Sequence, residues 1–281
     1  MIIHELKYST TNTYLIEGEK GILLFDTGWA GTFPAFCAAM GTIGIPAQRI
    51  QYILISHFHP DHMGIAQEIA DLGPVIVIPE VQQAFIHRAD AVFLKEKKSR
   101  FHPIDDAKTR SIQMQNSREF LRELGINGEI LHTPGHSEDS ISLCLDDGTI
   151  FVGDLNPLYE LELHRGTMIA DSWDKLMVRQ PRKIYYGHAK AAKLDAGDTE
   201  NPEQGDVANQ ENQSGESCAA KDLYTLVSKI MRYIDKGLPT EKIRKKTGAD
   251  SSFIEDVSRM YLTHQNVGVQ GILDRIEIKN R

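Results

Sequence analysis

Directly after the apolar run Tyr52-Ile53-Leu54-Ile55 stands Ser56-His57-Phe58-His59-Pro60-Asp61-His62, with three histidines and an aspartate in six positions. A short apolar run bounded by polar residues reads as a buried strand, so four side chains of metal-ligating chemistry leave one strand end together. Imidazole nitrogen and carboxylate oxygen suit zinc, with iron and manganese as alternatives, whereas a purely structural zinc site more often uses thiolates. Six adjacent residues cannot surround two ions. A chain with this pattern must therefore fold so that further ligands converge on the same strand end.

Three later segments offer such ligands. Thr133-Pro134-Gly135-His136-Ser137 follows the short apolar strand Ile130-Leu131-His132, and Pro134 with Gly135 makes a sharp turn that throws His136 inward. Gly153-Asp154 ends the run Thr149-Ile150-Phe151-Val152, and Gly187-His188 ends Lys183-Ile184-Tyr185-Tyr186. Each time a strand stops at a small residue and a ligand type follows. That repetition places the ligands along one edge of a layered α/β structure.

These residues resemble the metallo-β-lactamase superfamily of hydrolases, whose pattern is H-x-H-x-D-H followed by His, Asp and His, each at a strand end. The resemblance runs from Asn12-Thr13-Tyr14-Leu15-Ile16 through Leu24-Phe25-Asp26-Thr27-Gly28 to about Leu194, roughly two thirds of the chain. It implies an αβ/βα sandwich holding two divalent cations, zinc before iron or manganese. By the same resemblance His57, His59 and His136 bind the first metal, Asp61, His62 and His188 the second, and Asp154 bridges both. Asp26 corresponds to the aspartate that orients the histidine cluster by hydrogen bonding. His59 stands where the oxygen-reducing diiron branch carries a glutamate, and no cysteine occupies a ligand position, so the likeness is to the hydrolytic branches. Asp26-Thr27-Gly28 also spells the aspartic-protease triplet, but one copy supplies one carboxylate and the reaction needs two.

Two cations held together lower the pKa of a shared water from about 15.7 to near 7, which makes a hydroxide nucleophile available at neutral pH. The expected activity is attack of that hydroxide on an activated acyl carbon, in a thioester or a lactone or other ester. The glyoxalase-like opening Asn12–Ile16 and the Pro134–Ser137 turn resemble enzymes of that kind. Asp61 is a candidate to receive or orient the proton, and Tyr159, five residues past Asp154, a candidate donor to the oxyanion. Phosphodiester cleavage is the second enzymatic reading, and a ligand sensor driving a DNA-binding tail is the third. A net charge of −8 gives the chain no overall basic field for nucleic acid, which favours a small-molecule substrate. The three cysteines, Cys37, Cys144 and Cys218, are far apart and odd in number, and Met1–Glu5 lacks the pattern of a secretion signal. A cytoplasmic setting without membrane attachment is expected.

Further elements follow from pattern. Residues 2–8, 12–17, 21–26 and 74–78 read as strands, 34–40 and 63–72 as helices, and 80–124 as a mostly helical excursion forming either a pocket wall or a solvated face. The composition breaks after Leu194. Residues 195–217 carry seven acidic and no basic residues and almost nothing apolar, which reads as a flexible linker between a catalytic domain, residues 1–194, and a helical C-terminal module, residues 218–281. Residues 221–281 hold twelve Lys/Arg against eight Asp/Glu. In this module Leu223, Leu226, Val227, Ile230 and Ile234 form an apolar stripe ending at Gly237. A helix from Thr240 to Lys246, the turn Gly248-Ala249-Asp250 and a helix opening at Ser251 give helix-turn-helix spacing. Glu255 and Asp256 near the start of the last helix would face phosphates. Burial of the stripe against the catalytic domain or a second copy of the chain, a homodimer, is therefore favoured over nucleic-acid contact.

Overall fold

The computed structural model of the chain describes residues 1–95, 100–158, 161, 164–194, 217–236, 238, 240–263 and 272–273. It falls into two compact units, Met1–Asn201 and Pro202–Arg281.

The first unit is built on two sheets. One has the order β1 (Ile2–Leu6), β2 (Thr13–Glu17), β3 (Ile22–Phe25), β4 (Tyr52–Leu54), β5 (Val75–Pro79), β6 (Thr109–Ile112). The first three strands are antiparallel neighbours, and β3 to β6 run parallel. The other sheet has β7 (Gly128–His132), β8 (Ile141–Leu145), β9 (Thr149–Phe151), β10 (Lys183–Tyr185) and β11 (Ala192–Lys193) in the order β11-β10-β9-β8-β7, with β9 and β10 parallel. Parallel pairing matters for function. It brings the C-terminal ends of β3 and β4 to one sheet edge and those of β9 and β10 to one edge of the other.

The two-residue period of a strand separates the faces of each sheet. Tyr14, Ile16, Leu23, Phe25, Leu54 and Val77 share a core with Ile130, Ile141, Leu143, Leu145, Phe151 and Tyr185 of the second sheet. Their sequence neighbours Leu15, Leu24, Ile53 and Ile76 lie on the opposite face with Phe36 and Met40 of helix α1 (Phe33–Thr42) and with Ile69. The second sheet sends Cys144, Ile150, Val152 and Ile184 outward against Trp173 and Leu176. Helices thus cover both outer faces, giving the αβ/βα sandwich that the resemblance implied.

Several elements differ from the sequence reading. The helix expected over 63–72 is two short ones, α2 (Pro60–Met63) and α3 (Ala66–Ala70), because Pro60 with its fixed φ starts helix inside the ligand segment. Helix in the stretch 80–124 is broken into short α and 3-10 segments, with a strand between them. The stretch holds α4 (Asp90–Lys95), the edge strand β6 and α5 (Ser117–Glu123), and Ile86, Ala89, Phe93 and Ile104 are packed into the core. Helix α6 (Met168–Met177) carries the fully buried Trp173, whose Nε1–H donates to the Asn156 carbonyl at 2.8 Å. The linker residues 195–216 lie outside the described residues.

The second unit contains α7 (Ser217–Asp235), α8 (Thr240–Thr247) and α9 (Ser251–Thr263). Val227, Ile230, Ile243, Ile254, Val257, Met260 and Ile272 form its core, with Leu226 and Ile234 packed against it. Most of the α7 stripe is therefore buried inside the module itself. Leu223 and Tyr224 stay 38% and 47% exposed. The three-residue connection of α8 to α9 has helix-turn-helix spacing, as the glycine turn indicated.

Trp173 sets a test of the outer layer. Trp173→Ala should lower stability by about 3–5 kcal/mol through the cavity it leaves. Trp173→Phe, which keeps most of the packing and loses the bond to Asn156, should cost about 1–2 kcal/mol. Urea titration followed by circular dichroism checks both, and an alanine variant as stable as wild type would refute this packing role.

Candidate metal centre

Each ligand-type residue leaves the end of a strand. Ser56–His59 follow β4 and run into α2, which carries Asp61 and His62. His136 lies in the turn between β7 and β8, Asp154 follows β9 and His188 follows β10. All seven expected residues come together there, in two groups. His57, His59 and His136 form one, and Asp61, His62, Asp154 and His188 the other, with one ligand atom from each residue within 4.8 Å of the others in its group.

The atoms facing inward are specific. His59 Nδ1 lies 3.0 Å from His57 Nε2 and 3.1 Å from His136 Nε2. In the second group His62 Nε2 and His188 Nε2 are 3.2 Å apart. Asp154 Oδ1 lies 3.3 Å from His62 Nε2 and 3.2 Å from His188 Nε2, while its Oδ2 turns to His136 Nε2 at 3.6 Å. One carboxylate thus presents an oxygen to each group. Asp61 Oδ2 lies 3.0 Å from His188 Nε2.

These distances fit a cation. Tetrahedral coordination with metal–nitrogen bonds of about 2.0–2.1 Å sets ligand atoms about 3.3 Å apart, close to the separations found. Oδ2 of the fully buried Asp61 and Oδ1 of Asp154 meet only imidazole nitrogens of the ligand set, and Oδ1 of Asp61 has no hydrogen-bond partner. A buried carboxylate without hydrogen bonds is costly unless a positive charge faces it.

Protonation equilibria agree. Burial, reinforced by the neighbouring imidazoles, pushes His57 well below the ordinary imidazole range, and burial lowers His59 too, so both offer lone pairs. Burial pulls Asp61 and Asp154 upward, but His62 and His188 outweigh it and hold both carboxyls below their usual range. Burial would lower His62 as well. There the carboxylates of Asp154, Asp26 and Asp61 prevail and raise it well above its ordinary value. The field at this point favours positive charge.

Several residues hold the loops, and apart from Asp26 the sequence assigns no role to them. Asp26, expected as an orienting residue, accepts from His62 Nδ1–H at 2.8 Å and from the Ser56 backbone N–H at 2.6 Å. Thr27 N–H and Thr11 Oγ1–H donate to the carbonyls of His62 and Asp61. Asn12 Nδ2 donates to the carbonyls of Tyr186 and Ala189 on either side of His188. Asp139 Oδ2 accepts from Phe58 N–H at 2.7 Å, and buried Gln82 donates to the carbonyls of Ile55 and Asp139. Tyr159 lies outside the described residues.

Residues 7–188 match the family model of the metallo-β-lactamase superfamily, and the chain belongs to that superfamily. It is 27% identical over 201 residues to the beta-lactamase-like protein 2 homolog of Drosophila melanogaster, covering 68% of this chain and 62% of the fly protein. It is 24% identical over 150 residues to a protein of Aspergillus fumigatus named atrochrysone carboxyl ACP thioesterase, covering 51% of this chain and 29% of that one. The match thus spans less than two thirds of the length of either relative. In fold it is similar to TTHA1623, solved in a di-iron-bound form, with a TM-score of 0.53 at 21% identity over 69% of this chain and 94% of that one.

Gly187 packs against the second group: a Cβ there would stand 2.5 Å from Asp154 Oδ1 and 2.9 Å from His62 Cε1. Gly187→Ala should therefore weaken divalent-metal binding by about tenfold or more, with a smaller effect on metal-free stability. Metal content after dialysis against a chelator reads the first and thermal unfolding the second. Full metal retention would show that the ligand atoms have room to spare.

Proposed function

We propose that this chain is a dinuclear metal-dependent hydrolase of activated acyl bonds, a thioester first and a lactone or other ester second. The observation that carries the reading is Asp154, whose two oxygens face different ligand groups. In this reading His57, His59 and His136 hold one cation, Asp61, His62 and His188 the other, and Asp154 links them. Zinc suits the nitrogen-rich set, with iron or manganese as alternatives. Bound there, two divalent cations supply an activated water at neutral pH and polarise the carbonyl under attack.

The chain's own residues divide the work by burial. His57, Asp61 and His62 are closed off from solvent and fix the centre from behind. His59 is partly open and the His188 side chain is 12% exposed, so a substrate approaches across these two. Asp61, whose Oδ2 lies 3.0 Å from His188 Nε2, would serve as a ligand, and its role in proton transfer is limited to orienting water. Residues 1–194 carry the reaction in this reading, and 218–281 form an appended helical module. Exposed Glu255 near the start of α9 disfavours a phosphate backbone there.

The thioester preference draws on the fungal relatives named as ACP thioesterases. Among the described residues no helix is long and apolar enough to cross a membrane, and Cys37 and Cys144 are unpaired. A reducing, cytoplasmic location suits this reading.

The purified protein should hold close to two metal ions per chain and hydrolyse thioesters or lactones in a panel that also includes phosphodiesters. Asp154→Ala should lower kcat/KM by at least about 10²-fold while leaving the circular dichroism spectrum unchanged. Wild-type turnover by Asp154→Ala would exclude the dinuclear centre. Cleavage confined to phosphodiesters would replace the acyl substrate and leave the metal site standing.

A further inference from the structure

An imidazole that turns one nitrogen toward a metal must satisfy the other. His62 Nδ1 donates to Asp26 Oδ2 at 2.8 Å, and His188 Nδ1 to the Thr10 carbonyl at 2.9 Å. His57 Nδ1 instead lies 3.0 Å from the hydroxyl of Ser56, the residue just before it. Ser56 is 1% exposed, and its Oγ stands 2.9 Å from Asp26 Oδ2.

Proton counting fixes the direction of this chain. A carboxylate only accepts, so the single hydroxyl proton of Ser56 goes to Asp26. The lone pairs of Oγ are then what His57 meets, and His57 Nδ1 must be the donor. That leaves His57 Nε2 with a free lone pair, the nitrogen 3.0 Å from His59 Nδ1. The contact from Ser56 Oγ to His62 Nδ1 is longer, at 3.3 Å, because that nitrogen is already committed to Asp26. Backbone closes over the hydroxyl: Gly153 has φ of +56°, and a Cβ there would stand 2.6 Å from Ser56 Oγ.

We infer that Ser56 is a positioning residue of the metal centre, relaying the acceptor of Asp26 to His57 so that one carboxylate fixes the tautomer and ring orientation of a histidine in each ligand group. The inference rests on the reading that these groups hold divalent cations.

The test uses the full chain and Zn²⁺. Affinity is measured by competition with a chromophoric chelator for wild type, Ser56→Ala and Ser56→Thr, with circular dichroism of each zinc-free protein as the control for folding. Ser56→Ala should weaken one of the two sites by about 10–100-fold, and Ser56→Thr, which keeps the hydroxyl, should recover most of that loss. Long-range ¹H–¹⁵N correlation of the wild-type imidazoles gives a measurement independent of any variant. It should find His57 protonated on Nδ1 with zinc on Nε2. Wild-type zinc affinity in Ser56→Ala, or His57 protonated on Nε2, would overturn the role of Ser56 while leaving the metal reading intact. A wild type that binds neither Zn²⁺ nor Fe²⁺ nor Mn²⁺ would overturn the metal reading, and the role of Ser56 with it.

Discussion

The site depends on one buried carboxylate. Asp26 follows β3 with φ of 63°, a left-handed conformation that a residue other than glycine adopts at a cost of about 1–3 kcal/mol. The turn aims its side chain across to the neighbouring strand end. There it receives hydrogen bonds from Ser56 N–H, Ser56 Oγ–H and His62 Nδ1–H. Bonds to a charged group contribute about 1.5–3 kcal/mol each, so three of them exceed the strain. The parallel pairing of β3 with β4 makes this possible, because only then do Asp26 and Ser56 emerge at the same edge.

Around that pair, the loops carrying α2, His188 and His136 are tied by side-chain hydrogen bonds to their backbone carbonyls from other parts of the chain. Thr11 and Thr27 hold the carbonyls of α2, Asn12 holds the segment around His188, and Gln82 ties the end of β4 to the loop that follows His136. Tyr14 reaches from β2 to the Tyr186 carbonyl on the other sheet. The ligand side chains are therefore not what holds the loops in place. Their geometry is set beforehand by groups that never touch a metal, which is the condition for a preorganised centre.

What the sequence made legible follows from this division. Ligand-type residues concentrated in six positions or placed just after apolar strands stand out, so the convergence of all seven was readable, as were the strands with a clear apolar run. The clamps were not. Asn12 and its partner Tyr186 are 174 positions apart, and an asparagine bonded to a carbonyl leaves no spacing signature. Strand β6 escaped notice because Thr109-Arg110-Ser111-Ile112 is a half-exposed edge with one buried apolar side chain. In the tail, periodicity revealed the stripe on α7 but not its partner. Its burial against Ile243, Ile254 and Val257 needs the three-dimensional closure of α8 and α9.

The two ligand groups also differ in charge, and that asymmetry bears on chemistry. His57 and His59 are held neutral, so the first group offers imidazoles and one oxygen of Asp154. The second adds the ionised Asp61 to the other oxygen of Asp154. A divalent cation among the histidines would keep more of its positive charge and act as the stronger Lewis acid, whereas one beside two carboxylates would be nearly neutralised. A carbonyl oxygen gaining negative charge is stabilised best on the histidine side. His59, the partly open member of that group, lies on the side from which a substrate would reach it.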